Sequence, residues 1–127
     1  MRSADVVADQ LVIGWYAMFA MEAMALGKPV LCYLREDLKR FYIDAGLVHP
    51  GEIPIVECSP TDVKEVIKGL VMHREALGEI GRRSRAFIEK HHSLESVGAI
   101  FSAINRSIGL KPEGQNPSTG DISEKEP

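Results

Sequence analysis

Tyr16-Ala17-Met18-Phe19-Ala20-Met21-Glu22-Ala23-Met24-Ala25-Leu26-Gly27-Lys28-Pro29-Val30-Leu31-Cys32-Tyr33-Leu34 is the stretch that decides the fold. Its first part is rich in Ala, Met and Leu, which favour helix. Gly27 stands where a helix C-terminal cap belongs, and Pro29 follows where a helix cannot continue. Pro29 to Leu34 is a short apolar run, as expected of a strand buried on both faces. Upstream, Ala4-Asp5-Val6-Val7-Ala8 reads as a similar strand, with Gly14 breaking the chain before the helix. Downstream, Arg35 to Gly51 is charged and irregular, with one helical turn over Asp37–Tyr42. Ile53-Pro54-Ile55-Val56-Glu57 reads as a third strand.

Three helices follow. Ser59-Pro60-Thr61-Asp62 carries a start signal: Ser to cap, Pro at the first helical position, an acid at the third. Val63, Val66, Ile67, Leu70 and Val71 then form one apolar stripe. Leu77, Ile80, Ser84, Phe87, Ile88 and His91 trace a second stripe. Ser93 can cap a third helix, on which Val97, Ile100, Phe101, Ile104 and Ile108 line up. This order predicts an α/β fold: a partial Rossmann-like domain, with a short parallel sheet, flanking helices and a helical C-terminus. Three parallel strands leave two open edges, so residues 1–110 read as part of a larger domain, and the edges predict self-association.

Composition agrees with one packed domain. The 127 residues are 45% hydrophobic and 26% charged, with a formal net charge of −3. That balance argues against a nucleic-acid partner held by a general positive field. Two cysteines are too few for a disulfide scaffold and suit a reducing cytoplasm. The longest uncharged run, Leu11 to Met21, is far short of the roughly 20 residues of a membrane-crossing helix. Residues 111–127 have one aliphatic side chain, Ile122, among Pro, Gly, Ser and acids, and read as a disordered tail.

Chemistry concentrates before and within the first helix. Nearly every residue from Tyr16 to Leu26 is apolar or small, which predicts a helix buried all round. Glu22 is the single charge inside it. Such a carboxylate must be paired, protonated, or facing a solvent-filled or ligand-filled cleft. The helix start, entered from Gly14, offers amides without internal partners and hence an anion site. Glu22 lies roughly 9 Å along the axis from those amides, at 1.5 Å per residue. A nucleotide diphosphate with its ribose fits that span, and such ligands bind at the carboxyl ends of parallel strands. A structural pairing of Glu22 with a nearby arginine is the competing reading.

The run Gly14-x-x-Ala17-x-x-x-x-Glu22-Ala23-Met24-Ala25-x-Gly27-Lys28-Pro29-Val30 resembles the signature of retaining GT-B glycosyltransferases of family 4 (glycosyl transferases group 1). Leu77 to Arg83 and Phe87 to Ser93 resemble these enzymes' closing helices. The resemblance covers most of residues 4 to 108 and corresponds to the last part of the donor-binding domain. It implies transfer of a glycosyl unit from a nucleotide diphosphate sugar to an acceptor. Glu22 matches the second glutamate of the family's Glu-x7-Glu motif, which grips the ribose hydroxyls. Tyr16, Ala17 and Met18, with Trp15 beside them, match the loop whose amides face the diphosphate and donor sugar. Gly14 stands where the motif has its first glutamate, and Ala17 replaces a loop glycine.

By the same resemblance, no metal or other cofactor is expected, since amides and cationic side chains stabilise the leaving group. The family's basic pair and its N-terminal acceptor-binding domain have no counterpart in these residues, so the chain by itself is expected to be inactive. Two other readings stay open: a non-catalytic nucleotide-binding or assembly half-domain, and a GT-B-fold sugar-nucleotide epimerase. A cytoplasmic location follows, with Arg82, Arg83 and Arg85 read as a solvated face or a peripheral contact with an acidic membrane. Glu79 to Arg83 is a favourable i,i+4 pair. His91 and His92 point about 100° apart, too far to chelate together, and read as a solvated helix end. Trp15 is open to two readings, stacking on a sugar or base or packing on its own sheet.

Overall fold

The computed structural model describes residue 1 and residues 3–110; the tail expected over 111–127 lies outside the described residues. Three strands, β1 (Val7–Ala8), β2 (Val30–Cys32) and β3 (Val56–Glu57), form one parallel sheet in the order β1-β2-β3. Val7 pairs with Val30, Ala8 with Leu31, Leu31 with Val56 and Cys32 with Glu57. The strands are shorter than their apolar runs, and single backbone bonds extend them, Asp9 N–H to Leu31 O at 2.9 Å and Cys58 N–H to Cys32 O at 3.2 Å. All three residues of β2 are buried, as a central parallel strand must be.

Helix α1 (Met18–Ala25) crosses from β1 to β2. Gly27, at φ +70°, ends it: its N–H bonds Met24 O at 2.9 Å and Lys28 N–H bonds Ala23 O at 3.0 Å, a Schellman arrangement. Contrary to the all-round burial expected, only Ala20, Ala23 and Met24 are buried, while Met18, Phe19 and Leu26 are exposed. The buried side is a small-residue stripe that packs on α4 (Glu75–His91). At that contact a Cβ on Gly81 would overlap the Gly27 carbonyl oxygen.

Between β2 and β3 the expected single turn is a full helix, α2 (Glu36–Asp44). Its first turn carries Glu36 and Asp37, which suit a helix N-terminus, and Lys39 bridges Glu36 and Glu57 at 2.8 and 2.9 Å. Helix α3 (Val63–Met72) begins later than the Ser59 signal suggests. Asp62 bends back to accept from the Ser59 N–H at 2.6 Å, so Ser59 to Asp62 is a turn before the helix. Helix α5 (Leu94–Ser107) starts at the expected cap, with Ser93 Oγ accepting from Ser96 N–H at 3.1 Å. Its apolar residues, including Val97, Ile100, Phe101, Ile104 and Ile108, are exposed. Cys32 and Cys58 are buried free thiols.

Candidate functional site

The loop from β1 to α1 crosses the carboxyl end of the sheet, where α/β folds place ligands. It is tied down residue by residue. Gln10 Nε2 donates to the Trp15 carbonyl. Asp9, directly after β1, accepts the Ala17 N–H through Oδ2 at 3.3 Å. Gly14 is buried at φ +97°, its carbonyl accepts from Arg35 N–H at 2.8 Å, and a Cβ there would overlap Cγ and Cδ of Arg35. Only glycine fits both the backbone conformation and the space. A longer side chain at this position would meet the Arg35 stem.

Trp15 stacks on Tyr42 of α2, centroids 4.6 Å apart, and on Tyr16 at 5.2 Å. Trp15 thus packs against the core and on α2. Tyr16 is 8% exposed, and its ring meets Phe87 and His92 edge-on. Its hydroxyl shares a 3.1 Å hydrogen bond with His92 Nε2. Burial, then the neighbouring Tyr42, pushes the phenol up to about 12. Ala17 is extended at φ −129° and leads into α1, whose first amides have no helical partner. Asp9 holds the Ala17 amide, and the amides of Met18, Phe19 and Ala20 follow it.

Glu22 lies one turn further along, on the exposed side of α1 with Met18 and Phe19. Among the described residues its carboxylate has no hydrogen bond or ion pair, so the structural pairing with an arginine is not observed there. Arg35, the nearest cation to Gly14, is engaged with Asp37. Gly14 to Met18 and Glu22 thus lie on one loop–helix element, with Gly14, Trp15 and Tyr16 turned inward and Ala17, Met18 and Glu22 outward. Asp9 escaped the sequence reading; the available signal was an acid immediately after an apolar strand and before a glycine loop.

The end of α4 also departs from expectation. His91 and His92 are half-buried and diverge, His92 to Tyr16 and His91 Nε2 to Glu52 Oε1 at 2.9 Å. Glu52 also takes the His49 N–H at 2.7 Å and Lys90 Nζ, and these donors, His49 first, bring its carboxyl down to about 2. Burial, then His91, lowers the His92 imidazole. Glu79 pairs with Arg82, one residue short of Arg83, while Arg85 pairs with Glu89 and Arg83 reaches the Gly51 carbonyl. On the sheet face opposite α1, an apolar cavity of about 300 Å³ lies among Val6, Ala8, Leu31, Ile67 and Leu77, with the Asp5–Arg74 pair (3.1 Å) at its edge. Its helical wall is the apolar stripe of α3, Ile67, Leu70 and Val71, with Leu77 of α4.

A family model described as glycosyl transferase-like matches residues 19–101. The chain belongs to the glycosyl transferase-like family. The match includes Glu22 and all of β2, α2, β3, α3 and α4, and begins just after the Gly14–Met18 loop. Comparison with curated proteins and with solved structures returned no match. Membership of the glycosyl transferase-like family and the parallel α/β sheet agree with each other. No helix among the described residues is long and apolar enough to cross a membrane.

Proposed function

We propose that this glycosyl transferase-like chain holds the nucleotide diphosphate part of a sugar donor, for transfer of the glycosyl unit to an acceptor bound elsewhere. In this reading the amides opening α1 face the diphosphate and Glu22 accepts the ribose hydroxyls. Ala17 and Met18 line the approach, while Gly14, Trp15 and Tyr16 shape the loop from beneath. The observation that carries it is Glu22: a carboxylate on an exposed helix face, unpaired among the described residues, flanked by Met18 and Phe19. A solvated surface acid needs no apolar surroundings; one that receives a ribose stands beside surface that the ligand covers.

One observation favours a second reading, a nucleotide-binding module without catalysis. Arg35 leaves no room for a side chain at Gly14, so the loop lacks the carboxylate that the family 4 motif places there. The family 4 assignment, metal independence, and a cytoplasmic or membrane-peripheral site of action belong with the proposal and rest on the resemblance.

Calorimetry with nucleoside diphosphates on the parent, Glu22→Gln and Glu22→Ala tests the site. Hydrogen bonds to a charged group are worth about 1.5–3 kcal/mol, so affinity should fall roughly tenfold to a hundredfold. Equal affinities in all three proteins would remove Glu22 from the site.

A further inference from the structure

Helix α3 stands off the sheet. Val63, Val66 and Leu70 of its apolar stripe are only half-buried, and Ile67 and Val71 are exposed. The sheet surface across from them is apolar as well, with Leu31, 2% exposed, beside Val6 and Ala8. The gap between stripe and sheet is the cavity of about 300 Å³. Burial of its stripe is what stabilises an amphipathic helix, and part of this stripe faces open space. Water in that space finds side-chain hydrogen-bond partners only at the Asp5–Arg74 pair, so an apolar guest replaces it with a gain.

We infer that this cavity binds a free aliphatic carboxylic acid of about eight to ten carbons, its chain between α3 and the sheet and its carboxylate on Arg74. Size sets the length. An aliphatic-lined cavity of ~150 Å³ takes one benzene ring, so twice that volume takes roughly twelve heavy atoms. Every apolar side chain on the walls is aliphatic, which offers no ring to stack on and suits a saturated chain. The head group follows from the rim. Arg74 Nη2 donates to Asp5 Oδ2 at 3.1 Å, and a guanidinium carries further N–H donors in its planar fork, ready for a second carboxylate. Asp5 offers acceptors alone, and a cationic head would compete with Arg74 for them. Both rim side chains are largely exposed, so their pair yields to a ligand at little cost. The site lies on the sheet face opposite α1 and is independent of any ligand at Glu22.

Calorimetric titration of the full chain with hexanoate, octanoate and decanoate should show affinity rising about fourfold per methylene. Tetradecanoate should gain nothing more over decanoate, the cavity being full. Decanol, with the chain but not the charge, should bind roughly tenfold more weakly than decanoate, and Arg74→Gln should erase that difference. Ala8→Phe and Val71→Trp fill the cavity from opposite walls, and each should abolish binding with helical circular dichroism retained. A parent that does not bind decanoate overturns the inference. So does binding that survives in either filling variant, or a preference for decanoate that is absent in the parent or persists in Arg74→Gln. Retention on phosphatidylcholine vesicles without binding of the free acid would give the cavity to a membrane and overturn it too. Sedimentation equilibrium supplies the last arm: a parent heavier than 14.0 kDa that returns to the monomer on filling would give the cavity to a second copy.

Discussion

The hydroxyl of Tyr16 stands 3.1 Å from Nε2 of His92, joining the loop before α1 to the last turn of α4 across 76 residues of chain. The same phenol ring stacks on Trp15 and meets Phe87 edge-on. The outward-facing Ala17 and Met18 are therefore held by an inward-facing anchor immediately before them. Both polar atoms are largely removed from water, so losing one leaves the other short of a partner. Tyr16→Phe and His92→Phe should each cost about 1 kcal/mol, and the double variant less than their sum. A double-mutant cycle on urea midpoints measures this, and strict additivity would show the bond to be idle.

Gly14 carries a prediction in the opposite direction from the motif. Restoring a glutamate there would seem to complete the Glu-x7-Glu pattern. In this chain φ is +97° and the space is taken by the Arg35 stem. Gly14→Ala and Gly14→Glu should both destabilise, by roughly 1–3 kcal/mol for the strained backbone with an overpacking cost added. Adding Arg35→Ala should recover the overpacking part of the loss and leave the backbone part. Denaturant unfolding of the parent, the two Gly14 variants, Arg35→Ala and the two combinations decides it.

These two contacts show what was legible in the chain and what was not. The Ala–Met–Leu helix, the Gly27 cap and the apolar runs at Val7, Val30 and Val56 place β1, α1, β2 and β3 because local propensity and packing demand agree there. The stripe through Ser84, Phe87 and Ile88 located the buried side of α4 for the same reason. Helix α2 was hidden, since of its residues only Tyr42 and Ile43 pack against the core, too few to show as a stripe among its charges. The face of α1 bearing Glu22 departs from expectation because apolar composition does not tell a buried side from an exposed one. Likewise, nothing in His91-His92 announces that each ring meets a residue distant in sequence, Glu52 or Tyr16.

Two carboxylates at the carboxyl end of the sheet should respond with opposite signs. Asp9 occupies the Ala17 amide at the positive end of α1, the same end that the proposed diphosphate uses. Asp9→Asn removes a like charge from the anion's approach. It should strengthen binding of both nucleoside diphosphate and inorganic pyrophosphate, by a few-fold at low ionic strength and less at high salt. Glu22→Gln should weaken the nucleoside diphosphate and leave pyrophosphate unchanged, since only the former has ribose hydroxyls. Fluorescence of Trp15, which lies beside the loop, gives a titration signal. A loss of pyrophosphate affinity in Glu22→Gln would contradict the division of roles.

Acid should loosen the α4 end in two stages. His92 has its imidazole lowered from 6.5 in the folded protein, so the unfolded chain binds a proton more readily, and folding stability falls as pH drops through and below 6.5. Glu52 is held at about 2 against an ordinary 4.5, so the stability it contributes is complete above 4.5 and is lost between there and about 2. The first stage should disappear in His92→Phe, and the second should shrink in Glu52→Gln. Lys90 and His91, both on Glu52, would each remove part of the second stage when replaced by Ala. Urea midpoints followed from neutral pH into acid separate the stages; a parent protein whose midpoint is flat across the histidine range would contradict the first.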